Sequence, residues 1–274
     1  MFELNGNRVA IVGDWHGNSS CLAKIQQIAE EGVNLILSVG DFGIWHPSAY
    51  EALGVLDLDS YMMDAEKICG KYNVEIWITL GNHESYGFID DLWVAQGAFD
   101  GDRRLPLQLT QHIKVLPRGY RFKLRNRSFV SLGGANSIDR WYRYENKSWW
   151  KQEQISNRDV QLTIEGGPAD VMITHESPDP PYCTREIQMK LETKSPGWPV
   201  QALLYSSGSR EMVTRAVVGV KPKVLFHGHW HVPSYREVHY PDVDYKSDIF
   251  SLGMEWQPRN VAILNLTNLE VSFL

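Results

Sequence analysis

Two aspartates, one asparagine and five histidines stand where short apolar runs end. Asp14 and His16 lie in Gly13-Asp14-Trp15-His16, Asp41 in Gly40-Asp41, and Asn82 and His83 in Gly81-Asn82-His83-Glu84. His175 follows Thr174, and His229 and His231 lie in Gly228-His229-Trp230-His231. Carboxylate, amide and imidazole donors together suit borderline divalent cations such as Mn, Fe or Zn. The absence of cysteine from the set argues against a closed structural zinc site. The glycines beside these residues need not touch substrate, because a tight exit from a strand is enough to require glycine.

The apolar runs at 8–13, 34–40, 74–81, 170–174 and 223–227 are rich in β-branched residues and close on glycine or a polar residue, so each is expected to be a buried strand. A helix is expected over 19–31, with Leu22, Ile25 and Ile28 on one side and Ser19 available as its cap, and another over 60–71. This βαβαβ beginning implies a parallel sheet flanked by helices. Every motif then falls at a strand's carboxyl end, the edge where open α/β sheets build their sites.

Downstream, 113–115, 119–124 and 128–132 are expected to be short antiparallel strands. A helix is expected over 200–218 and further strands over 234–240, 243–252, 261–266 and 269–273. The order suits a four-layer α/β/β/α sandwich, two mixed sheets face to face with helices outside, in a single domain over residues 1–274. Two segments, 136–150 and 176–199, fit neither helix nor strand and are expected to border the site as functional loops.

The motifs D-x-H, G-D, G-N-H-E, H and G-H-x-H, in that order over residues 13–231, make the chain resemble the calcineurin-like metallophosphoesterases. The ordered set is far more specific than any one motif. The resemblance implies two divalent metal ions, with Mn foremost and Fe, Zn or a mixed pair as alternatives. It implies that Asp14, His16, Asp41 and His231 hold one metal, and that Asp41, Asn82, His175 and His229 hold the other. Asp41 would bridge, and a hydroxide shared by the metals would attack phosphorus in line. His83 lies outside both ligand sets. Its implied role is that of general acid or phosphate contact, with Glu84 or another acidic residue orienting it.

Phosphoprotein phosphatases of this superfamily continue Gly-Asp into Val-Asp-Arg-Gly and place Arg before Gly-Asn-His-Glu. Here Asp41 is followed by Phe42-Gly43-Ile44-Trp45, and Leu80 precedes Gly81, so both phosphate-clamping arginines are missing from those places. A monoester dianion benefits most from guanidinium contacts, so their absence favours a phosphodiesterase. Arg140 and Arg143 are the candidate replacements. Trp45 and Trp141, in loops, are candidates for stacking a nucleobase, which points to nucleotide-type or cyclic nucleotide diesters or an RNA end. Trp15 and Trp230 are expected to turn away from the metals into packing.

The 274 residues carry a net charge of −6, with a pI near 5.9, and have no global basic field for wrapping long nucleic acid, though a local basic patch could exist. That weighs against a nuclease. A phosphomonoesterase stays open as the alternative, and a scaffold that had lost catalysis is disfavoured because every motif residue remains. The cysteines Cys21, Cys69 and Cys183 are odd in number and widely spaced, which suits a reducing, cytoplasmic setting. No membrane segment is expected. His46, His112 and His239 belong to no motif and are expected to be structural or solvated.

Overall fold

The computed structural model describes residues 2–45, 58–101, 103–193 and 197–274; His46 lies outside them. The first sheet is built from β1 (Arg8–Val12), β2 (Leu35–Ser38) and β3 (Glu75–Thr79), all mutually parallel. Between them run α1 (Leu22–Glu30) and α2 (Leu58–Tyr72). The α1 face Leu22, Ile25 and Ile28 is buried as its spacing dictates. Asn18 rather than Ser19 caps the preceding 3-10 turn, its side chain accepting from the Ser20 amide.

After β3 comes α3 (Tyr86–Gln96), which ends on a left-handed Gly97, then the two-residue pair β4 (Phe99–Asp100) and β5 (Arg103–Arg104), followed by β6 (Leu107–Gln108). The strand expected at 113–115 is β7 (Ile113–Leu116). It pairs parallel with β3, and antiparallel only with the short β6. It therefore extends the first sheet instead of opening a separate antiparallel set. The hairpin β8 (Tyr120–Leu124) and β9 (Arg127–Leu132) is antiparallel as expected.

The second sheet continues from β9 through β10 (Val171–Thr174) and β11 (Val224–His227), parallel to one another. It ends with β12 (Ser234–Tyr240) and β13 (Tyr245–Ser251), while β14 (Val261–Asn265) and β15 (Val271–Phe273) return to complete the first sheet beside β1. Three helices accompany this half: α4 (Asn157–Glu165), α5 (Arg185–Glu192) and α6 (Val200–Val220).

The layers follow from which face each strand residue uses. Val9, Ile11, Leu35 and Leu37 meet Phe129, Val171, Ile173 and Phe226 between the sheets. Ala10, Val12, Ile36 and Ile76 face α1 to α3, and Met172 and Leu225 face α4 and α6. Strands buried on both faces read as unbroken apolar runs, which is why they stood out in the sequence. Each fully buried Leu, Ile or Val contributes about 1.5–3 kcal/mol, so this α/β/β/α core is the rigid base of the strand ends above it. Cys21, Cys69 and Cys183 are buried and unpaired. No helix among the described residues is long and apolar enough to cross a membrane.

Candidate metal centre

Five strand exits, from β1, β2 and β3 of one sheet and β10 and β11 of the other, deliver the motif residues to one end of the sandwich. Asp14, His16 and His231 have ligand atoms within 4.8 Å of one another, as do Asp14, Asp41 and His175, and also His16, Asp41 and His83. His231 Nε2 lies 3.0 Å from Asp14 Oδ2, and His175 Nε2 lies 3.3 Å from Asp41 Oδ2. Asn82 Oδ1 faces His175 Nε2 at 2.9 Å, and the His229 ring lies tilted against His175 with ring centroids 5.1 Å apart.

The backbone is bent to achieve this. His16, Asp41, His229 and His231 have φ of 45°, 49°, 66° and 51°, the left-handed region that side chains other than glycine rarely adopt. Strain of this kind persists where the surroundings over-determine it, and it clusters at functional sites. The adjoining glycines admit the carboxylates: a Cβ at Gly81 would meet Asp41 Oδ1 at 2.1 Å, and one at Gly228 would meet Asp14 Oδ1 at 2.0 Å.

Whether these residues fit metal ions is decided by their unmet needs. Asp14 is fully buried, yet its Oδ1 has no hydrogen-bond partner among the described residues. A buried anionic oxygen without a donor is costly, and a cation satisfies it. The imidazoles are turned correctly as well. His175 Nδ1 lies 3.0 Å from the carbonyl oxygen of Val39, to which it must donate, and that aims Nε2 at the carboxylates. His16 Nδ1 lies 2.9 Å from Glu255 Oε2, aiming its Nε2 at Asp41. Burial alone would lower both imidazoles, but hydrogen bonds and charge from Asp41, with Glu255 adding to His16, raise His16 to about 11 and His175 to about 10. The cluster thus holds protons where it could hold cations. The donor set fits divalent metal.

Around these residues is a frame of carboxylates. Glu84 does not orient His83: its Oε1 accepts from the Phe42 amide at 2.6 Å and its Oε2 from the Gly81 amide at 2.6 Å, locking two motif loops together. Glu176 Oε1 accepts from Trp230 Nε1 at 2.6 Å, so that indole packs as expected instead of facing the cluster. Trp15 is buried and donates to Asn260. Asn82 Nδ2 donates to Ser137 Oγ at 2.9 Å, and Ser137 Oγ donates to Glu153 Oε2 at 2.6 Å. This chain leaves the Asn82 oxygen for the cluster.

A cleft of about 260 Å³ opens over Asp41, Asn82, His83, His229 and His231. The loop at 136–150 supplies Asp139 and Arg143 to it, and the segment at 176–199 supplies Lys190 and Trp198. Arg143 is held by Asp139 at 2.8 Å and donates to His83 Nε2 at 2.6 Å. Burial and the Arg143 charge hold the His83 imidazole well below its ordinary value, against the opposing pull of Asp41. Arg140 turns away from the cleft into a cage of Trp149, Tyr205 and Trp141, its guanidinium 4.3 to 5.5 Å from their ring centroids. Trp141 is half exposed on the outside of that cage, and Trp45 lies edge-on to His83 with centroids 6.2 Å apart. His112 pairs with Glu66, and His239 is exposed beside Asp244.

Sequence reasoning missed Glu255, Ser137, Glu153, Lys190 and Trp198. Ser137, Lys190 and Trp198 carried a signal, since they lie in the two segments expected to border the site; Glu255 and Glu153 carried none.

An α/β/β/α sandwich with a cluster of carboxylates and imidazoles at the ends of its parallel strands defines a class of metal-dependent hydrolase. A family model described as calcineurin-like phosphoesterase matches residues 7–233, and the chain belongs to that family of metal-dependent phosphoester hydrolases. A dimetal phosphatase from Danio rerio shares the fold with a TM-score of 0.55 and 13% identity, over 96% of this chain and 93% of that one. Another solved structure does so with a TM-score of 0.56 and 14% identity over 98% of each chain. At such identities the likeness is one of fold. No curated protein matches the chain in sequence.

Proposed function

We propose that the chain is a binuclear-metal phosphodiesterase acting on nucleotide-type or cyclic nucleotide esters. One metal would be held by Asp14, His16, Asp41 and His231, and the other by Asp41, Asn82, His175 and His229, with Mn as the working metal. When bound, the cations would lower the pKa of a water, so that a nucleophile exists at neutral pH, and would neutralise charge on the phosphate. Arg143 holds a phosphate oxygen. His83 is neutral while it accepts from Arg143. A phosphate oxygen that takes over the guanidinium frees the His83 Nε2 lone pair and screens the Arg143 charge, so Nε2 takes up a proton from solvent as the substrate binds and then passes it to the departing oxygen.

The observation that carries the diester reading is the count of guanidinium groups. Among the described residues lining the cleft, Arg143 is the one arginine. A diester has a single negative charge and is matched by one fork, where a monoester dianion is held better by two. Lys190 lines the same cleft, but its ammonium donates to the carbonyl of Trp230 at 2.8 Å. Trp198 forms the aromatic part of the wall against Trp230, where a base could lie. The test is a side-by-side assay with Mn of a chromogenic diester, its matching monoester, and 2′,3′- and 3′,5′-cyclic nucleotides. The reading requires diester turnover to exceed monoester turnover. A strong monoester preference would replace it with a phosphomonoesterase.

A further inference from the structure

Beside the Gly81 loop, lined by Leu80 and Tyr86, lies a second and larger cavity, of about 570 Å³. It shares no lining residue with the first. Its walls carry five arginines, Arg103, Arg104, Arg118, Arg121 and Arg158, against two carboxylates, Asp100 and Asp159. In a chain of net charge −6 the lining is locally positive, with Glu165 and Asp90 pairing the rim arginines from outside it. An anion that displaces those two carboxylates meets a wall of guanidinium groups, and an excess of one charge focuses the field into the opening.

The arginines divide into a half-buried floor and an exposed rim. Arg118 is bound to the carbonyls of Gly133, Gln152, Glu153 and Gln154 and to Asp159, so it is part of the structure. Arg121 donates to the carbonyls of Thr163, Pro168 and Gly167, while its Nε is buried with no hydrogen-bond partner among the described residues. At the rim, Arg103 and Arg158 share Glu165, and Arg104 pairs with Asp90, with the three guanidinium side chains 42–57% exposed. Exposed pairs of this kind are held weakly and exchange readily for a better anion.

We propose that this cavity is a binding site for a small phosphate anion, of the inorganic phosphate or pyrophosphate class. Guanidinium forks match phosphate oxygens in geometry and charge. A base-stacking ligand is disfavoured because two of the three aromatic rings in the lining are buried and already carry a guanidinium, Arg104 over Trp93 at 4.7 Å and Arg118 over Tyr86 at 5.6 Å, and the third, Tyr120, is stacked on Phe122. The site is also joined to the metal loop by hydrogen bonds. Arg118 donates to the Tyr86 hydroxyl, and that hydroxyl donates to the carbonyl of Gly81 at 2.7 Å, beside Asn82 and His83.

The experiment is equilibrium dialysis of radiolabelled pyrophosphate against the full chain, both metal-loaded and metal-stripped. The site requires one pyrophosphate per metal-stripped chain, retained in Asp41→Ala. Arg103→Ala with Arg158→Ala should weaken that binding about tenfold for each arginine removed. Both side chains are exposed, so an unchanged melting temperature is expected for the double variant, and Arg104→Ala gives an independent reading from the other rim pair. The proposal is overturned if the metal-stripped chain binds no pyrophosphate, if the arginine variants bind as tightly as the parent, or if binding is lost in Asp41→Ala alone. The last result would place the anion in the metal cleft.

Discussion

Arg143 donates to His83 Nε2 across 2.6 Å, and Asp139 holds the same guanidinium at 2.8 Å. The motif histidine outside both proposed ligand sets therefore has a fixed cation at hydrogen-bond distance as well as the Asp41 carboxylate nearby, and a phosphate oxygen is the natural third party between it and Arg143. Arg143→Ala is expected to lower kcat/KM for a diester by roughly 10- to 100-fold, as for the loss of one charge-assisted contact, with metal content unchanged. Steady-state kinetics with metal analysis of the same samples is the check, and unchanged kcat/KM would remove Arg143 from the substrate site.

His83→Ala is expected to keep both metals and slow turnover by about 10² to 10⁴. Its backbone amide also donates to Asp41 Oδ1 at 2.8 Å, a contact the substitution preserves. If the variant lost metal in proportion to activity, His83 would be a ligand and not an acid.

Glu255 acts from a distance in sequence by accepting from His16. Glu255→Ala is expected to weaken metal binding about 10- to 100-fold, the usual cost of removing the partner that orients a ligating imidazole. Titration of the metal-stripped protein with Mn, followed calorimetrically, measures it. Equal affinity in variant and parent would show that His16 needs no such support.

How far these residues were visible beforehand depends on what signals them. Strands β1, β2, β3, β10 and β11 were legible because burial on both faces makes each an apolar run, and the ligand candidates were legible because they follow those runs directly. Glu255 was not, and Ser137 was visible only as part of a bordering segment and not as a partner, since the contacts His16–Glu255 and Asn82–Ser137 join positions far apart that only the fold brings together. Helix α5 was hidden in a segment read as irregular. Prolines flank that segment, and a single residue of the helix, Ile187, is buried, too little for a clear apolar stripe. Helix α4 carried a signal that went unused, the reciprocal capping box of Ser156 and Asp159. Strand β7 was correctly placed but wrongly paired, because its partner is set by tertiary position and its residues alone do not specify it. Glu84 was in view, but its role was not, because amides that need an acceptor leave no mark in a sequence.

Burial pushes the Glu153 carboxyl up to about 7, with the Ser137 hydroxyl and amide pulling it back. An acid whose folded value is raised contributes stability that is complete below its unfolded value, about 4.3, and is lost as pH rises through 7. Glu153→Gln should therefore make the decline of stability between about pH 4.3 and 8 shallower by on the order of 3 kcal/mol, leaving the part due to Glu84, which burial also raises to about 7. Denaturant unfolding of both proteins across that range reads the difference. Parallel pH profiles would show that Glu153 is ionised in the fold without penalty.

The central claim is that Asp41, buried between His16 and His175, joins two metals and that diester hydrolysis depends on them. The most direct measurement is metal content per chain and diester turnover, taken together on the Mn-loaded parent and on Asp41→Ala. The expected result is two metals and turnover in the parent, and loss of both in the variant. Full turnover in Asp41→Ala, or in a parent stripped of metal, would contradict it.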